Sequence, residues 1–353
     1  MKKKKVLFFT QESVGGAERI TVLIAKMLDL EKYDVKFVCV PYSEVSNSIL
    51  DFLPPEYGAI SIGMVRPFVK MLRMFKVLWR ERPDIVFTSV LHLTNKVLPF
   101  RFLFPCTKFI VRCENYLFTF SKKQRLEVLL LYRLASRIIA QTDEMKEELV
   151  EEAKIPDKKV VVLENPIDCK TIELKLQDAQ NPYPQNGKTH LVASGRFCYQ
   201  KGFDLLVKAF AVLKNRRNDV DLYVIGANDG EYSEEFDRVE SLSKELGVAE
   251  DFHCVGYQSN PYKYVKHADC FVLSSRWEGL PNVLIESLYL GTPVAAFKCI
   301  PIVERIVSEQ KNGFLADAGD EKSLAQAMEN ALQLNRVEFS YKGASKEQFT
   351  SLF

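Results

Sequence analysis

Short runs of β-branched and aromatic residues alternate along this chain with longer stretches whose apolar positions recur every three to four residues. The short runs suit strands and the longer stretches amphipathic helices, because side chains alternate faces along a strand and return to one face of a helix every turn. In the first half the pattern predicts strands over residues 5–9, 35–40, 84–88, 108–112, 137–140 and 160–163, with helices in most of the gaps. The second half gives strands over 189–193, 221–225, 251–255, 270–273, 293–297 and 313–315, and helices over 203–216, 234–246, 281–290 and 321–334. Between the halves, Pro166, Pro182, Pro184, Gly187 and a cluster of Asn and Gln interrupt the alternation as a connecting segment would. The expected fold class is α/β, with two Rossmann-like, doubly wound domains over 1–166 and 188–335. A linker over 167–187 joins them, and a polar tail over 336–353 follows. Sheets of this kind bind ligands at the carboxyl ends of their strands, so two such domains predict a cleft between those ends.

A length of 353 residues fits two domains, each able to close its own core. The balance of 47% hydrophobic and 27% charged residues is that of a globular enzyme, which excludes a fibrous, disordered or membrane-spanning chain. The apolar run after the amino-terminal lysines, Val6 to Phe9, is too short for a signal peptide or a membrane span, so a cytoplasmic location is expected. Eight cysteines are scattered without a CxxC pair or zinc spacing and read as buried thiols. Charge is uneven. Residues 1–165 carry 27 Lys+Arg against 20 Asp+Glu, which makes the first half the basic one. No helix-turn-helix, zinc-finger or RNP pattern accompanies that charge, so an anionic membrane is a better partner for it than nucleic acid.

Three turns carry candidate chemistry. In SSRWEGLPNVLIE, 274–286, two glutamates flank seven residues after a buried strand. Pro281 suits the first turn of a helix, leaving Gly279 and Leu280 as the strand-to-helix turn and the amides around Asn282 and Val283 as an electropositive anion site. Glu278 falls at the mouth of the turn, and Glu286 falls where a carboxylate can grip vicinal hydroxyls. In ASGRFCYQKGFDLL, 193–206, Arg196 and Lys201 stand on a glycine turn where a guanidinium fork and an ammonium can converge on a diphosphate. In QESVGGAER, 11–19, Gly15 and Gly16 allow close approach of backbone to a ligand ahead of a helix. The DVD of Asp219 and Asp221 resembles a metal-binding DxD, but it leads out of a polar helix end, where solvated turn aspartates are common. His92, His190, His253 and His267 lack ligand spacing, so no metal is expected.

Taken in order, GGAE, NPID (165–168), GRxxxxKG (195–202), the E-x7-E block EGLPNVLIE, GTPV (291–294) and NGFL (312–315) resemble retaining GT-B glycosyltransferases of family four. The resemblance covers most of the chain and is tighter in the carboxyl half. It implies a carboxyl-terminal domain that binds a nucleotide sugar, UDP-linked in many members, and an amino-terminal domain that binds the acceptor. It assigns Arg196 and Lys201 to the diphosphate, Glu286 to the ribose, and Glu278 with the turn from Gly279 through Pro281 to Val283 to the donor sugar. Gly256 and Tyr257 fall to the base, and Gly16 beside Gly15 to the donor phosphates across the cleft. No cofactor beyond the nucleotide-sugar co-substrate is implied. Many members carry a histidine where this chain reads VRCENY, 111–116; there Glu114 takes the histidine's place, contacts an acceptor hydroxyl, or pairs with Arg112.

The stretch 65–82 aligns Val65, Phe68, Leu72, Phe75 and Trp79 on one helical face, and Arg66, Lys70, Arg73 and Arg80 on another. Packing of the apolar face into the core is one reading. The other is docking on anionic lipid, helped by Lys2 to Lys5, with a peripheral position at the inner membrane face and a lipid-linked or polysaccharide acceptor. A sugar-nucleotide epimerase, a phosphorylase and a catalytically silent partner protein use the same architecture and stand as alternatives to transfer.

Overall fold

The computed structural model describes residues 2–13, 15–41, 48–228 and 230–353. The chain divides into two compact units, one of residues 1–166 with 342–353 and the other of residues 167–341.

The first unit runs β1 (Lys4–Gln11), α1 (Gly16–Lys26), β2 (Tyr33–Val40), β3 (Gly58–Ser61), α2 (Pro67–Glu81), β4 (Ile85–Thr88), α3 (Leu91–Val97), β5 (Lys108–Arg112), α4 (Lys122–Leu131), β6 (Arg137–Ala140), α5 (Asp143–Glu147) and β7 (Val160–Val162). Its strands form one parallel sheet ordered β3-β2-β1-β4-β5-β6-β7, so the winding direction reverses between β1 and β4. The edge strand β3 is half polar and four residues long, too weak a pattern to show in the sequence. Phe8, Phe37 and Phe87 stack through the middle of the unit, with ring centroids 5.1–5.3 Å apart. Phe353 joins that stack at 5.9 Å from Phe8. Residues 342–353 of the expected polar tail therefore pack inside the first unit. The tail helix (Lys346–Thr350) is fixed by the capping box of Ser345 and Gln348, and buries Phe349, Leu352 and Phe353.

Helix α2 does not follow the core-packing reading of its apolar stripe. It buries Lys70, Met74, Leu78 and Glu81, while Phe68, Leu72 and Trp79 stay exposed at 72%, 51% and 55%. Polar residues can occupy the interior side because each is compensated: Lys70 donates to the carbonyl of Pro41, and Glu81 lies 2.7 Å from Lys36 and 3.1 Å from Arg80. Phe75 of that stripe packs against Phe100 and Phe104.

The second unit opens with α6 (Cys169–Leu176), a helix inside the expected linker, capped by Asp168. It continues with β8 (Thr189–Ser194), α7 (Phe203–Lys214), β9 (Val220–Ile225), α8 (Ser233–Glu245), β10 (Phe252–Gly256), α9 (Tyr262–His267), β11 (Cys270–Leu273), α10 (Asn282–Tyr289), β12 (Val294–Phe297), α11 (Pro301–Ile306), β13 (Gly313–Ala316) and α12 (Glu321–Ala331); the tail helix is α13. These strands form a parallel sheet ordered β10-β9-β8-β11-β12-β13, reversing between β8 and β11. Leu191, Leu222, Val224 and Val272 from the strands pack with Leu206, Phe210 and Met328 from α7 and α12 in a fully buried core. Among the described residues no helix is long and apolar enough to cross a membrane.

Candidate active site

In the second unit β8 and β11 are hydrogen-bonded neighbours, with Cys270 opposite Leu191. The chain leaves β8 toward one edge of the sheet and β11 toward the other, so their carboxyl-terminal turns open a crevice at the switch point. Those turns carry Arg196 and Lys201 on one side and Glu278 to Val283 on the other. They are stitched together: Ser274 Oγ donates to the Lys201 carbonyl at 2.9 Å, the Arg276 amide to the Gln200 carbonyl at 2.8 Å, and Gln200 Nε2 to the Trp277 carbonyl at 3.0 Å. Gly202 permits this closeness. Its φ is +63°, and a Cβ there would stand 2.2 Å from the Ser274 carbonyl oxygen. Gly226 is equally constrained, because a Cβ would lie 1.6 Å from the Gly195 oxygen where β9 ends against the β8 turn.

Within this frame Lys201 Nζ lies 2.7 Å from Glu278 Oε1, with the two side chains only 15% and 8% exposed. Ser275 Oγ donates to the same oxygen at 2.6 Å. The pair places a positive and a negative group side by side in a partly dry pocket, where each supports the other. Cys299, after β12, adjoins them: burial pushes its thiol up to about 12, the Glu278 carboxylate adds to that, and Lys201 opposes it. Glu286 follows along α10 and accepts from Tyr262 Oη at 3.4 Å. The other turns of this face are knit by amide-to-carbonyl bonds from Gly195 to Ile225, Phe197 to Ala227 and Gly226 to Gly256. Gly256 has φ +67°, and Tyr257 beside it is 37% exposed.

Two details of the α10 entry differ from expectation. Pro281 is the residue before the helix rather than its first, and its carbonyl accepts from Leu284 and Ile285. The Asn282 amide is not an open donor, since it gives its hydrogen bond to the Leu280 carbonyl at 2.9 Å. Leu280 itself is buried, as is Gly279. Arg196 is exposed, with its guanidinium 6.0 Å from the Tyr232 ring, and lines a cavity that neither Lys201 nor Glu278 lines. Asp219 and Asp221 are ion-paired, to Arg217 at 2.6 Å and Lys188 at 2.8 Å.

In the first unit, Gly15 precedes α1 and Gly16 begins it, at the carboxyl end of β1 beside that sheet's own switch point. A Cβ on Gly15 would meet Glu18 Oε2 at 2.6 Å, and Glu18 is buried. Glu114 accepts from the Leu91 amide at 3.2 Å, which places its charge at the start of α3. Arg112 is buried and donates to Gln141 at 2.8 Å and Asn165 at 2.6 Å. Burial pushes its guanidinium down to about 10, against the charges of Glu114, Cys113 and Glu18. The charge of Glu114 thus supports the buried Arg112 cation. Sequence reasoning missed Ser275, Tyr262 and Glu18. Ser275 stands on Glu278's own turn and Glu18 in the GGAE motif, whereas Tyr262 had no local signal.

Two doubly wound sheets, a glycine turn bearing a lysine, and a carboxylate on the adjacent strand-to-helix turn with a second one along the helix that follows define a glycosyltransferase of the GT-B fold. Known proteins agree: the family described as Glycosyltransferase Family 4 matches residues 14–171, and Glycosyl transferases group 1 matches residues 177–346. The chain belongs with these GT-B glycosyltransferases. It is 26% identical to an uncharacterized glycosyltransferase of Haemophilus influenzae, over 99% of this chain and 95% of that protein. It is also 26% identical to the N-acetylgalactosamine-N,N'-diacetylbacillosaminyl-diphospho-undecaprenol 4-alpha-N-acetylgalactosaminyltransferase of Campylobacter jejuni, over 98% and 94%. Among solved structures, Anabaena HepE in complex with UDP and glucose superposes with a TM-score of 0.75 at 18% identity, covering 95% of this chain and 96% of that one, a likeness of fold.

Proposed function

We propose that this glycosyltransferase moves a hexose or N-acetylhexosamine from a UDP-linked sugar to a lipid-linked or polysaccharide acceptor, with retention of anomeric configuration and without a metal ion or other cofactor. The observation that carries the reading is the Lys201–Glu278–Ser275 cluster at the switch point of the second unit. Lys201, held in place by Glu278, supplies positive charge for a departing diphosphate, so the leaving group is stabilised by a side chain fixed before the reaction. Glu278 and Glu286 offer carboxylate oxygens to sugar and ribose hydroxyls. In the proposed course the glycosidic bond to the diphosphate breaks, the acceptor oxygen returns on the same face, and a departing phosphate oxygen takes the acceptor proton. The Campylobacter relative's name specifies a diphospho-undecaprenol acceptor and an N-acetylhexosamine, and HepE binds UDP, which supports the same substrates here. A nucleotide-sugar panel screened by thermal shift tests this. A cognate UDP-sugar at a hundred times its Kd should stabilise the protein by about 2.7 kcal/mol, and no shift with any member contradicts the proposal.

The acceptor reading includes a peripheral membrane position at the cytoplasmic face. Connections β3→β4, β4→β5 and β5→β6 all step in one direction, so right-handed crossovers place α2, the turn Leu98–Phe102 and α4 on one face of the first sheet. Phe68, Leu72, Trp79, Phe102 and Leu103 are exposed on those elements and their ends, among Arg66, Arg73, Lys76 and Arg80. Apolar side chains ringed by cations suit an anionic interface. Flotation with anionic liposomes should carry the protein with them at low salt, and failure to float removes this part of the reading.

A further inference from the structure

Tyr199 lies on the same turn as Lys201, yet its ring is 59% exposed and takes no part in the Lys201–Glu278 pair. It does not swing free. Arg276 lies against one face with its guanidinium 3.9 Å from the ring centroid, and donates to the Tyr199 carbonyl at 2.8 Å. Arg276 is in turn fixed by a two-point bond to the buried carboxylate of Asp204, at 2.9 and 2.7 Å. An exposed aromatic ring held from behind by an anchored cation is an organised surface, and little entropy is lost when a ligand covers its open face. Beside it opens a cavity of about 620 Å³ lined by Arg196, Tyr199, Tyr232, Glu234, Glu235 and Arg238, within the ~300–1,000 Å³ typical of small-molecule sites. Two arginines offset two glutamates there, and Arg238 grips Glu235 at 3.0 and 2.7 Å. A balanced lining of this kind selects against a phosphate. It suits a neutral ligand with an apolar face for the tyrosine and hydroxyls for the carboxylate and guanidinium edges, and a pyranose ring has both.

We infer that the Tyr199 ring and the adjoining cavity form a second carbohydrate site, which holds a pyranose unit of the acceptor glycan outside the donor pocket. The inference rests on the glycan-acceptor reading above. The two sites are joined rigidly through the stitched turns at 200–202 and 274–277, so a glycan held at Tyr199 is kept at a fixed distance from Lys201.

The test is saturation-transfer NMR on the full-length protein with chitotetraose, cellotetraose and maltotetraose, with UDP affinity measured in parallel. At least one tetrasaccharide should bind the wild type. Tyr199→Ala should weaken it about tenfold, the upper range for an aromatic contact, while Tyr199→Phe binds as the wild type and UDP affinity is unchanged in both. Absence of binding by all three sugars, or equal binding by wild type and Tyr199→Ala, overturns the inference. Tetrasaccharide binding that depends on Tyr199 in a protein that binds no nucleoside diphosphate supports this site and contradicts the transferase reading instead.

Discussion

Asp251 shows how single residues hold the second unit together on the side away from the proposed chemistry. Burial acts to raise its pKa, but hydrogen bonds from Lys188 and Lys214, 2.5 and 2.7 Å away, prevail and bring it to about 2. A carboxylate depressed in the folded state contributes stability that is complete above its ordinary value of 3.8 and is lost as pH falls through the folded value. Acid titration followed by circular dichroism should therefore show wild-type stability declining from about pH 4 toward pH 2, whereas Asp251→Asn starts less stable at neutral pH and has a shallower decline. An unchanged profile would mean that the two lysines do not stabilise the charge. At this scale the sequence was informative where spacing is local. Glu278, Glu286 and Lys201 were marked by the motifs around them, but Tyr262 meets Glu286 only because α9 and α10 are neighbours in space, a relation no local pattern encodes.

At the scale of elements, strands were legible because each buried one is a run of apolar β-branched or aromatic residues, and β5 and β6 appear with the expected ends. Short or half-polar pieces such as β3, α6 and α9 were not, since too few turns or alternations exist to form a period. Helix α2 was legible as a helix, and of the two readings of its apolar stripe the core-packing one fails. The sequence offers a large aromatic stripe and a basic one, while the fold buries a row that takes Lys70 from the basic stripe together with Met74, Leu78 and Glu81, because Lys70 and Glu81 find partners on neighbouring segments. Leu78→Ala should cost about 2–5 kcal/mol in denaturant unfolding, and Leu72→Ala no more than about 0.5 kcal/mol. The reverse ranking would restore the core-packing reading of the stripe.

Across the whole molecule the chain ends in the unit where it began. Phe353, 6% exposed, stacks on Phe8 and Phe87, and Lys4 and Lys108 donate to the carbonyls of Phe353 and Leu352. The polar composition after residue 335 hid this, because three apolar residues among many polar ones carry the docking. Phe353→Ala should destabilise the first unit by about 3–5 kcal/mol, visible as an earlier unfolding transition in calorimetry, while the second unit's transition stays in place. A simultaneous shift of both transitions would contradict that assignment.

Lys201 and Glu286 should receive a nucleoside diphosphate in the second unit, and calorimetric titration of UDP into the protein tests this most directly. Wild type should bind, and Lys201→Ala and Glu286→Ala should each bind at least about tenfold more weakly, the loss expected for a hydrogen bond to a charged group. Equal affinity in all three proteins, or no binding of UDP or any other nucleoside diphosphate to the wild type, would contradict it.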